Sequence, residues 1–204
     1  MKTLIIDYGL CNLDSVKRAV EECGGNPVVE LDPQAASIAE KLILPGVGNF
    51  YDAMQRLRTS GWYEILQKEV LENKIPILGI CLGMQLLATY GEEGGGIDGL
   101  GFVKGKVIKL IRETSDIRIP HIGWNEVRHY GNSILFKEIP SNKDFYFVHS
   151  YHFVAEEKET IIAMTPYCGQ FVSAVESKNI FGVQFHPEKS QRVGFQLLKN
   201  FIHL

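Results

Sequence analysis

Short apolar runs alternate with amphipathic segments through the first 90 residues of the chain. The runs are bounded by Gly, Pro or Asp, which is typical of buried strands. The segments between them carry apolar residues at helical spacing or begin with helix-start signals such as Asp32-Pro33. Strands are predicted at 3–6, 27–31, 41–44 and 75–80. Helices are predicted at 13–23, 33–40, 52–58, 62–73 and 82–89.

The second half of the chain is richer in strand patterns. Strands are predicted near 103–111, 145–150, 161–165, 171–176 and 180–184, followed by an amphipathic helix at 190–203. Alternating strands and helices in the first half imply a parallel sheet with helices on both faces. We therefore expect an α/β fold, with a mostly parallel central sheet flanked by helices and additional antiparallel strands. No linker or internal repeat interrupts the pattern, so residues 1–204 are expected to form a single domain.

Composition narrows the class of protein. Apolar residues make up 45% of the chain and charged residues 22%, with a net charge of −3. These values are ordinary for a soluble globular protein and give no sign of a nucleic-acid or membrane partner. The four cysteines are widely spaced, which argues against a disulfide framework or a zinc site, and no signal peptide or transmembrane run occurs. We expect a cytoplasmic protein that uses neither a metal nor a cofactor.

A glycine-rich stretch at 91–101 contains a formal G-x-G-x-x-G pattern at Gly94, Gly96 and Gly99. In dinucleotide-binding proteins this pattern follows a strand and opens a helix. Here it follows a predicted helix, so a surface loop is the better interpretation.

The strongest chemical signal is a cysteine placed between a predicted strand and a predicted helix. Residues 79–83 read GICLG directly after the fourth strand. Flanking glycines allow a tight turn that lifts the side chain of Cys81 to the edge of the sheet. The helix that follows offers free backbone N–H groups, which favour a thiolate. The plain alternative is a buried structural cysteine.

A second signal follows the strand at 180–184, where residues 185–188 read FHPE. A histidine next to Cys81 would take its proton, and Glu188 would orient the imidazole of His186. The cysteine turn and the histidine turn each follow the carboxyl end of a strand in the same predicted sheet. Ligands of such sheets bind outside the carboxyl ends of the strands. The two signals together predict a Cys81–His186–Glu188 catalytic triad.

A third signal is the turn at 45–48, PGVG, which follows the third strand. Such a turn can be structural, or it can offer backbone N–H groups to an oxyanion. The N–H of Leu82, the residue after the nucleophile, is the expected second donor.

These motifs together resemble those of class I (triad) glutamine amidotransferases. The resemblance rests on GICLGMQ at 79–85 with FHPE at 185–188. Three further segments are similar to signatures of the HisH family, the glutaminase subunits of imidazole glycerol phosphate synthase. They are DYGLCNL at 7–13, PGVG at 45–48 and PHIGWN at 120–125. Cys11 stands where that family usually has Gly.

The resemblance implies a flavodoxin-like glutamine amidotransferase domain and hydrolysis of L-glutamine to glutamate and ammonia through a thioester on Cys81. It further implies a heterodimer in which ammonia passes to a HisF-like (β/α)₈-barrel synthase subunit of histidine biosynthesis. Gly46, Val47 and Leu82 would form the oxyanion hole, after the Gly46–Val47 peptide reorients. The amino-acid end of glutamine would be held by Gly48, Gln85, His149, Ser150 and Tyr151. The partner interface would include Asp7, Tyr8, Asn12, Trp124, Asn125 and Lys189.

Three alternatives stay open at this point. A paralogous amidotransferase subunit would supply ammonia for surface-polysaccharide sugar amination. A Cys–His hydrolase such as a peptidase would use the same nucleophile turn on another substrate. A binding module would keep the fold without the activity, although the triad residues are all present.

Overall fold

A mixed β-sheet forms the centre of the molecule. The computed structural model describes residues 2–115 and 117–204. In the first half, the strands are β1 (Lys2–Ile6), β2 (Asn26–Glu30), β3 (Lys41–Leu44), β4 (Ile77–Ile80), β5 (Tyr90–Gly91) and β6 (Ile97–Asp98). In the second half, they are β7 (Gly105–Lys109), β8 (His121–His129), β9 (Lys143–His149), β10 (Tyr151–Ala155), β11 (Ile161–Thr165), β12 (Phe171–Ser177) and β13 (Ile180–Val183).

Five neighbouring strands are parallel and run in the order β2-β1-β3-β4-β13. Parallel strands need long crossovers, so their carboxyl ends meet at one edge, where the connecting loops cluster. The segments after β1, β3, β4 and β13 therefore converge, although they are far apart in sequence. This convergence brings residues near 8, 46, 81 and 186 together.

The rest of the sheet is mainly antiparallel. β12 pairs with β13, β10 and β11, and β10 pairs with β7. β11 also pairs with β8, and β8 forms an antiparallel pair with the whole length of β9. The β8–β9 pair reaches the carboxyl edge of the parallel strands and forms the far wall of the cleft there.

Helices cover both faces of the parallel strands. They are α1 (Leu13–Glu22), α2 (Phe50–Thr59), α3 (Trp62–Leu66), α4 (Leu82–Leu86) and α5 (Gln191–Ile202). Short 3₁₀ segments lie at Pro33–Ile38, Ile134–Phe136, Lys158–Thr160 and Pro187–Lys189, and a π-helical segment follows α3 at Gln67–Glu72. Successive β1 side chains enter different clusters, Leu4 packing with the α2 and α3 side and Ile5 with the α1 and α5 side.

The predicted α/β architecture is confirmed, with four strands that the sequence patterns did not indicate. These are β5, β6, β8 and β10. β8 was missed because polar residues such as His121 and Asn125 interrupt its apolar pattern. The predicted helix at 33–40 is a 3₁₀ segment, and the predicted helix at 62–73 divides into α3 and the π-helical segment. Gly94–Gly96 form the turn between β5 and β6. Among the described residues, no helix is long and apolar enough to cross a bilayer.

Candidate active site

Cys81 occupies a strained turn between β4 and α4. Its backbone has φ 55° and ψ −109°, a region that costs a non-glycine residue about 1–3 kcal/mol. Two main-chain hydrogen bonds hold it there, from Cys81 N to Val183 O (2.8 Å) and from Gln85 N to Cys81 O (3.2 Å). The flanking glycines act by their lack of a side chain. A Cβ on Gly83 would lie 1.8 Å from Leu44 O, and one on Gly79 would lie 2.6 Å from Gly83 O.

His186 reaches Cys81 because their strands are neighbours. Val183 pairs with Ile80, so the loops after β13 and β4 leave the sheet side by side. The Nδ1 atom of His186 lies 2.8 Å from Glu188 Oε1, and both side chains are almost fully buried. Among the described residues, Nε2 of His186 has no hydrogen-bond partner. A carboxylate on Nδ1 leaves Nε2 as the atom that can exchange a proton with the sulfur.

The charge state of His186 follows from its neighbours. Burial lowers its pKa, but the nearby Cys81 sulfur and the Glu188 carboxylate outweigh burial and raise the pKa to about 10. An imidazole in this setting holds a proton readily and can deliver it to a leaving group.

The turn that carries His186 is anchored to β9 and α5. The main-chain N–H of His186 donates to Tyr146 O at 2.8 Å. The buried hydroxyl of Ser190 donates to His186 O (2.6 Å) and accepts from Tyr146 N (3.0 Å). A Cβ on Gly194 would lie 2.0 Å from Pro187 O, so α5 approaches the turn closely. These contacts fix the imidazole relative to the sheet.

The segment 45–48 follows β3 and faces the nucleophile turn. A Cβ on Gly46 would lie 2.4 Å from the Tyr8 hydroxyl oxygen and 3.2 Å from Gly83 N. The Val47 N–H, a predicted oxyanion donor, instead donates to Leu10 O at 2.9 Å. In this conformation that N–H is not available to a substrate at Cys81, so Val47 could donate to an oxyanion only after the Gly46–Val47 peptide reorients. Cys11 Sγ lies 3.6 Å from Ile6 O and 3.7 Å from Pro45 O, so a thiol fits where glycine was expected.

A cleft of about 350 Å³ opens beside Cys81. Its volume lies near the lower end of the range for small-molecule sites, about 300–1,000 Å³. It brings together all the residues expected to touch the amino-acid end of glutamine, which are Gly48, Gln85, His149, Ser150 and Tyr151. Val47, Leu82 and His186 also line it, with Pro120 and Val148 from the β8–β9 side.

Two of these residues use their polar atoms within the protein. His149 is buried, with Nδ1 2.8 Å from Tyr151 O and Nε2 3.0 Å from Nδ1 of His121. Both ring nitrogens are thus occupied, so His149 supports the wall and offers no free nitrogen to a ligand. Gln85 Nε2 donates to Tyr151 O and to Gln184 Oε1, each at 2.9 Å. Its carbonyl Oε1 is therefore the group that a ligand N–H could reach.

Glu93 is a cleft residue that the sequence patterns did not indicate. Its Oε2 accepts from Phe50 N at 2.9 Å, at the start of α2. Burial raises the pKa of this carboxyl group, partly offset by that hydrogen bond. A carboxylate is the natural partner of an α-ammonium group. The need for such a partner could have directed a search for an acidic residue near Cys81.

The residues expected at a partner surface divide into two groups. Trp124, Asn12 and Lys189 are exposed, and Asp7 is half-buried. Tyr8 is 3% exposed and packs beneath Gly46, so its side chain supports the 45–48 segment, contrary to the expectation of an interface contact. The half-buried Asn125 uses Nδ2 on Pro166 O (3.1 Å) and on Nε2 of His121 (3.3 Å), which makes it a structural bridge.

An apolar patch lies on the outer face of the β8–β9 pair. Ile122 pairs with Val148, and Trp124 pairs with Tyr146, so all four side chains point the same way. Trp124 is 47% exposed and meets the Tyr146 ring edge-on at 6.0 Å. Lys189 Nζ lies 5.9 Å from the centre of the Tyr146 ring. The patch begins at the cleft, because Val148 O lies 3.8 Å from Cys81 Sγ.

Known proteins match this chain over almost its whole length. The family model for class-I glutamine amidotransferases matches residues 4–204. A protein named imidazole glycerol phosphate synthase subunit HisH 2 from Methanococcus maripaludis is 46% identical over 198 residues, 97% of each chain. HisH 1 of Campylobacter jejuni is 45% identical, covering 98% of each chain. HisH of Moorella thermoacetica is 47% identical, covering 97% of this chain and 92% of its own.

Solved structures share the architecture at lower identity. A glutamine amidotransferase from Thermotoga maritima matches with a TM-score of 0.68 at 19% identity, over 95% of this chain and 78% of its own. A chain of PurLQS from the same organism matches with a TM-score of 0.72 at 18% identity, over 99% of this chain and 97% of the PurLQS chain. Sequence likeness over the full length and the common fold agree, and the chain belongs to the class-I glutamine amidotransferases and, among them, to the HisH family.

Proposed function

We propose that this chain is the glutaminase subunit of an imidazole glycerol phosphate synthase, which hydrolyses L-glutamine and passes ammonia to a HisF-type (β/α)₈-barrel partner in a heterodimer. The observation that carries the proposal is the Cys81–His186–Glu188 arrangement at the cleft, with Glu188 2.8 Å from Nδ1 of His186. The near full-length likeness to HisH proteins supports the choice of glutamine.

In the first chemical step the Cys81 sulfur attacks the side-chain amide carbon of glutamine. The new C–S bond gives a tetrahedral oxyanion, and collapse breaks the C–N bond. His186 protonates the leaving nitrogen, so ammonia departs and a γ-glutamyl thioester remains on Cys81. Water then attacks the thioester while His186 takes its proton, and the products are glutamate and the free thiol. Glu188 orients the imidazole and stabilises its charged form throughout.

The oxyanion needs two aimed N–H donors. Leu82 N–H, the first amide of α4, is one of them in this proposal. Val47 N–H becomes the second when the Gly46–Val47 peptide turns away from Leu10. Loss of one such donor typically costs about 10²–10³ in rate. The conformation in which Val47 donates to Leu10 O is therefore the slow state. Leu10 lies in the loop after β1 between Asp7 and Asn12, so docking at that loop can release the bond.

The cleft holds the amino-acid end of glutamine opposite the sulfur. Glu93 receives the α-ammonium group, and Oε1 of Gln85 accepts a further substrate N–H. Gly48, Ser150 and Tyr151 close the remaining sides. The apolar patch of Ile122, Trp124, Tyr146 and Val148 is the docking face for the barrel subunit. Because the patch adjoins Cys81 through Val148, ammonia leaves the thioester site directly toward the partner.

One observation bears on the choice of the barrel partner. Methanococcus maripaludis has two relatives, named HisH 2 and HisH 1, which are 46% and 45% identical to this chain. Two proteins of this family therefore coexist in one organism at nearly the same identity to this sequence. An amidotransferase subunit for surface-polysaccharide sugar amination is the alternative function, with the same glutaminase chemistry and a different barrel partner. The free thiols of all four cysteines support a reducing, cytoplasmic location for either one.

The test is glutamate release from L-glutamine by the purified chain, alone and with a HisF barrel subunit bound to its substrate. We expect stimulation by the partner, no activity in Cys81→Ala, and a loss of about 10²–10⁴ in kcat for Glu188→Gln. Alkylation of Cys81 by a diazo-ketone analogue of glutamine should block the reaction. Absence of glutamate release with any barrel partner would refute the proposal. If only a barrel subunit encoded in a surface-polysaccharide gene cluster stimulated the activity, the sugar-amination function would be the correct one.

A further inference from the structure

Gln184 lies between the nucleophile and the glutamine-binding side of the cleft. It follows β13 directly, its side chain is fully buried, and its main-chain N–H donates to Ser173 O at 2.9 Å. The backbone is thus tied to β12 and the amide group is enclosed. A buried amide must place its donors and its acceptor on partners, because each unpaired polar atom costs free energy.

The orientation of this amide follows from the chemistry of its neighbours. Tyr151 O can only accept, so the Gln85 atom that lies 2.9 Å from it is the donor Nε2. The same Nε2 lies 2.9 Å from Gln184, which must therefore present its acceptor Oε1. Nε2 of Gln184 then faces Cys81 Sγ at 3.7 Å. The sulfur meets an N–H donor on this side.

The sulfur also contacts Val148 O, and this contact turns from attractive to repulsive when the thiol loses its proton. A thiol can donate to Val148 O, 3.8 Å away, but a thiolate is repelled by that carbonyl. The Gln184 N–H donates in both states, and such a bond is stronger when the acceptor is charged. Two titratable groups face the sulfur, His186 from the loop after β13 and Tyr8 from the loop after β1, with Glu188 and His149 beyond His186. Gln184 is a neutral donor whose contribution does not depend on their protonation.

We propose that Gln184 is a positioning residue with two functions. Its Nε2 holds the Cys81 sulfur and favours the thiolate, and its Oε1 fixes the Gln85 amide. Both hydrogens of Gln85 Nε2 are then used, on Tyr151 O and Gln184 Oε1, which leaves Gln85 Oε1 as the acceptor in the cleft. The proposal rests on the proposed function, because it takes Cys81 as the nucleophile and Gln85 as a substrate contact.

The test uses two variants that separate these functions. Gln184→Met has similar length and neither a donor nor an acceptor amide. Gln184→Glu keeps an oxygen for Gln85 but aims a carboxylate oxygen at the sulfur. Gln67→Met is the matched control, since it removes an amide hydrogen bond to Leu100 O (2.7 Å) outside the cleft. Iodoacetamide alkylation of Cys81 is followed against pH by peptide mass spectrometry in the full chain, with Cys168 as the internal reference. Steady-state glutaminase kinetics are measured with the barrel partner.

For Gln184→Met we expect the pH of half-maximal Cys81 alkylation to rise by about one unit. We also expect kcat to fall by about tenfold and KM for glutamine to rise. For Gln184→Glu we expect a larger rise in that pH with little change in KM. Gln67→Met and the Cys168 peptide should behave as in the wild-type chain. Melting temperatures establish which variants fold, and either Gln184 variant suffices for the alkylation test.

An unchanged alkylation profile in a folded Gln184 variant would overturn the proposal. Because alkylation needs no glutamine and no partner, it reports on Gln184 independently. A wild-type chain that releases no glutamate would overturn the proposed function and leave the alkylation result intact.

Discussion

The Val47 amide donates to the carbonyl of Leu10 at 2.9 Å, which ties the turn after β3 to the loop after β1. The first of these segments is expected to stabilise the oxyanion, and the second lies beside the candidate partner surface. One hydrogen bond thus links the proposed oxyanion donor to the loop at which we propose that the partner docks. The glutaminase activity of the free chain and of the complex should differ for this reason.

The contact between Gly46 and Tyr8 can be tested by a double-variant cycle. Gly46→Ala places a Cβ 2.4 Å from the Tyr8 hydroxyl, so we expect a loss of about 1–3 kcal/mol in the free energy of unfolding and lower partner-stimulated glutaminase. Adding Tyr8→Phe removes that oxygen and should restore part of the free energy of unfolding and part of the stimulated glutaminase activity. Urea denaturation and glutamate release are the measurements, with Tyr8→Phe alone as the control. Unchanged stimulation in Gly46→Ala would refute a peptide turn that requires glycine.

Glu93 is expected to recognise the α-ammonium group by its charge. Glu93→Gln keeps an oxygen for Phe50 N, so the start of α2 stays satisfied while the charge is lost. We expect KM for glutamine to rise by about tenfold or more with little change in kcat. Glu92→Gln, the exposed neighbour, is the matched control and should leave KM unchanged. A KM equal to that of wild type in Glu93→Gln would remove Glu93 from the binding site.

Trp124 is the expected anchor of the apolar patch. Truncation to alanine of a large aromatic residue at the centre of an interface typically costs about 2 kcal/mol or more. We expect Trp124→Ala to weaken the affinity for the barrel subunit by about 30-fold without lowering the melting temperature. Tyr130→Ala removes another exposed aromatic residue, outside the patch, and should leave affinity unchanged. Calorimetric titration with the barrel subunit measures both, and equal affinities for the two variants would move the interface elsewhere.

The His121–His149 pair should make stability depend on pH. Burial lowers the pKa of His121 to about 4 and that of His149 to about 3, from an ordinary value of 6.5. Below pH 6.5 the unfolded chain binds protons that the folded pair does not, so the free energy of unfolding falls as pH drops from about 6.5 toward 4. The slope is at most about 1.4 kcal/mol per pH unit for each histidine.

Urea denaturation between pH 4.5 and pH 7.5 measures this slope. His121→Phe can stack between Tyr167 and Phe147 and should flatten it. His203→Gln alters an exposed histidine near the C-terminus and should retain the wild-type slope. A slope that is unchanged in His121→Phe would mean that other groups control acid stability.

The sequence predicted the parallel half of the sheet well because four of its five strands, β1, β3, β4 and β13, are buried on both faces. Such strands read as continuous apolar runs, and β3 matches its predicted bounds. In the antiparallel part, β11 also matches its predicted bounds. β8 and β10 were missed because one face of each is polar or lines the cleft. The roles of the glycines at 79 and 83 were understood from the motif, but the close approach of Leu44 O that excludes a Cβ became visible only in the fold.

The sequence by itself determined the chemistry, because the motif at 79–85 and the FHPE turn each follow a strand and supply the nucleophile, base and orienting acid. Tertiary structure decided the orientation of each group. The Val47 N–H points to Leu10, Tyr8 is buried under Gly46, and the amides of Gln85 and Gln184 are fixed by Tyr151. The physical reason is that hydrogen-bond direction depends on neighbours brought together from distant strands, and no local pattern encodes those neighbours.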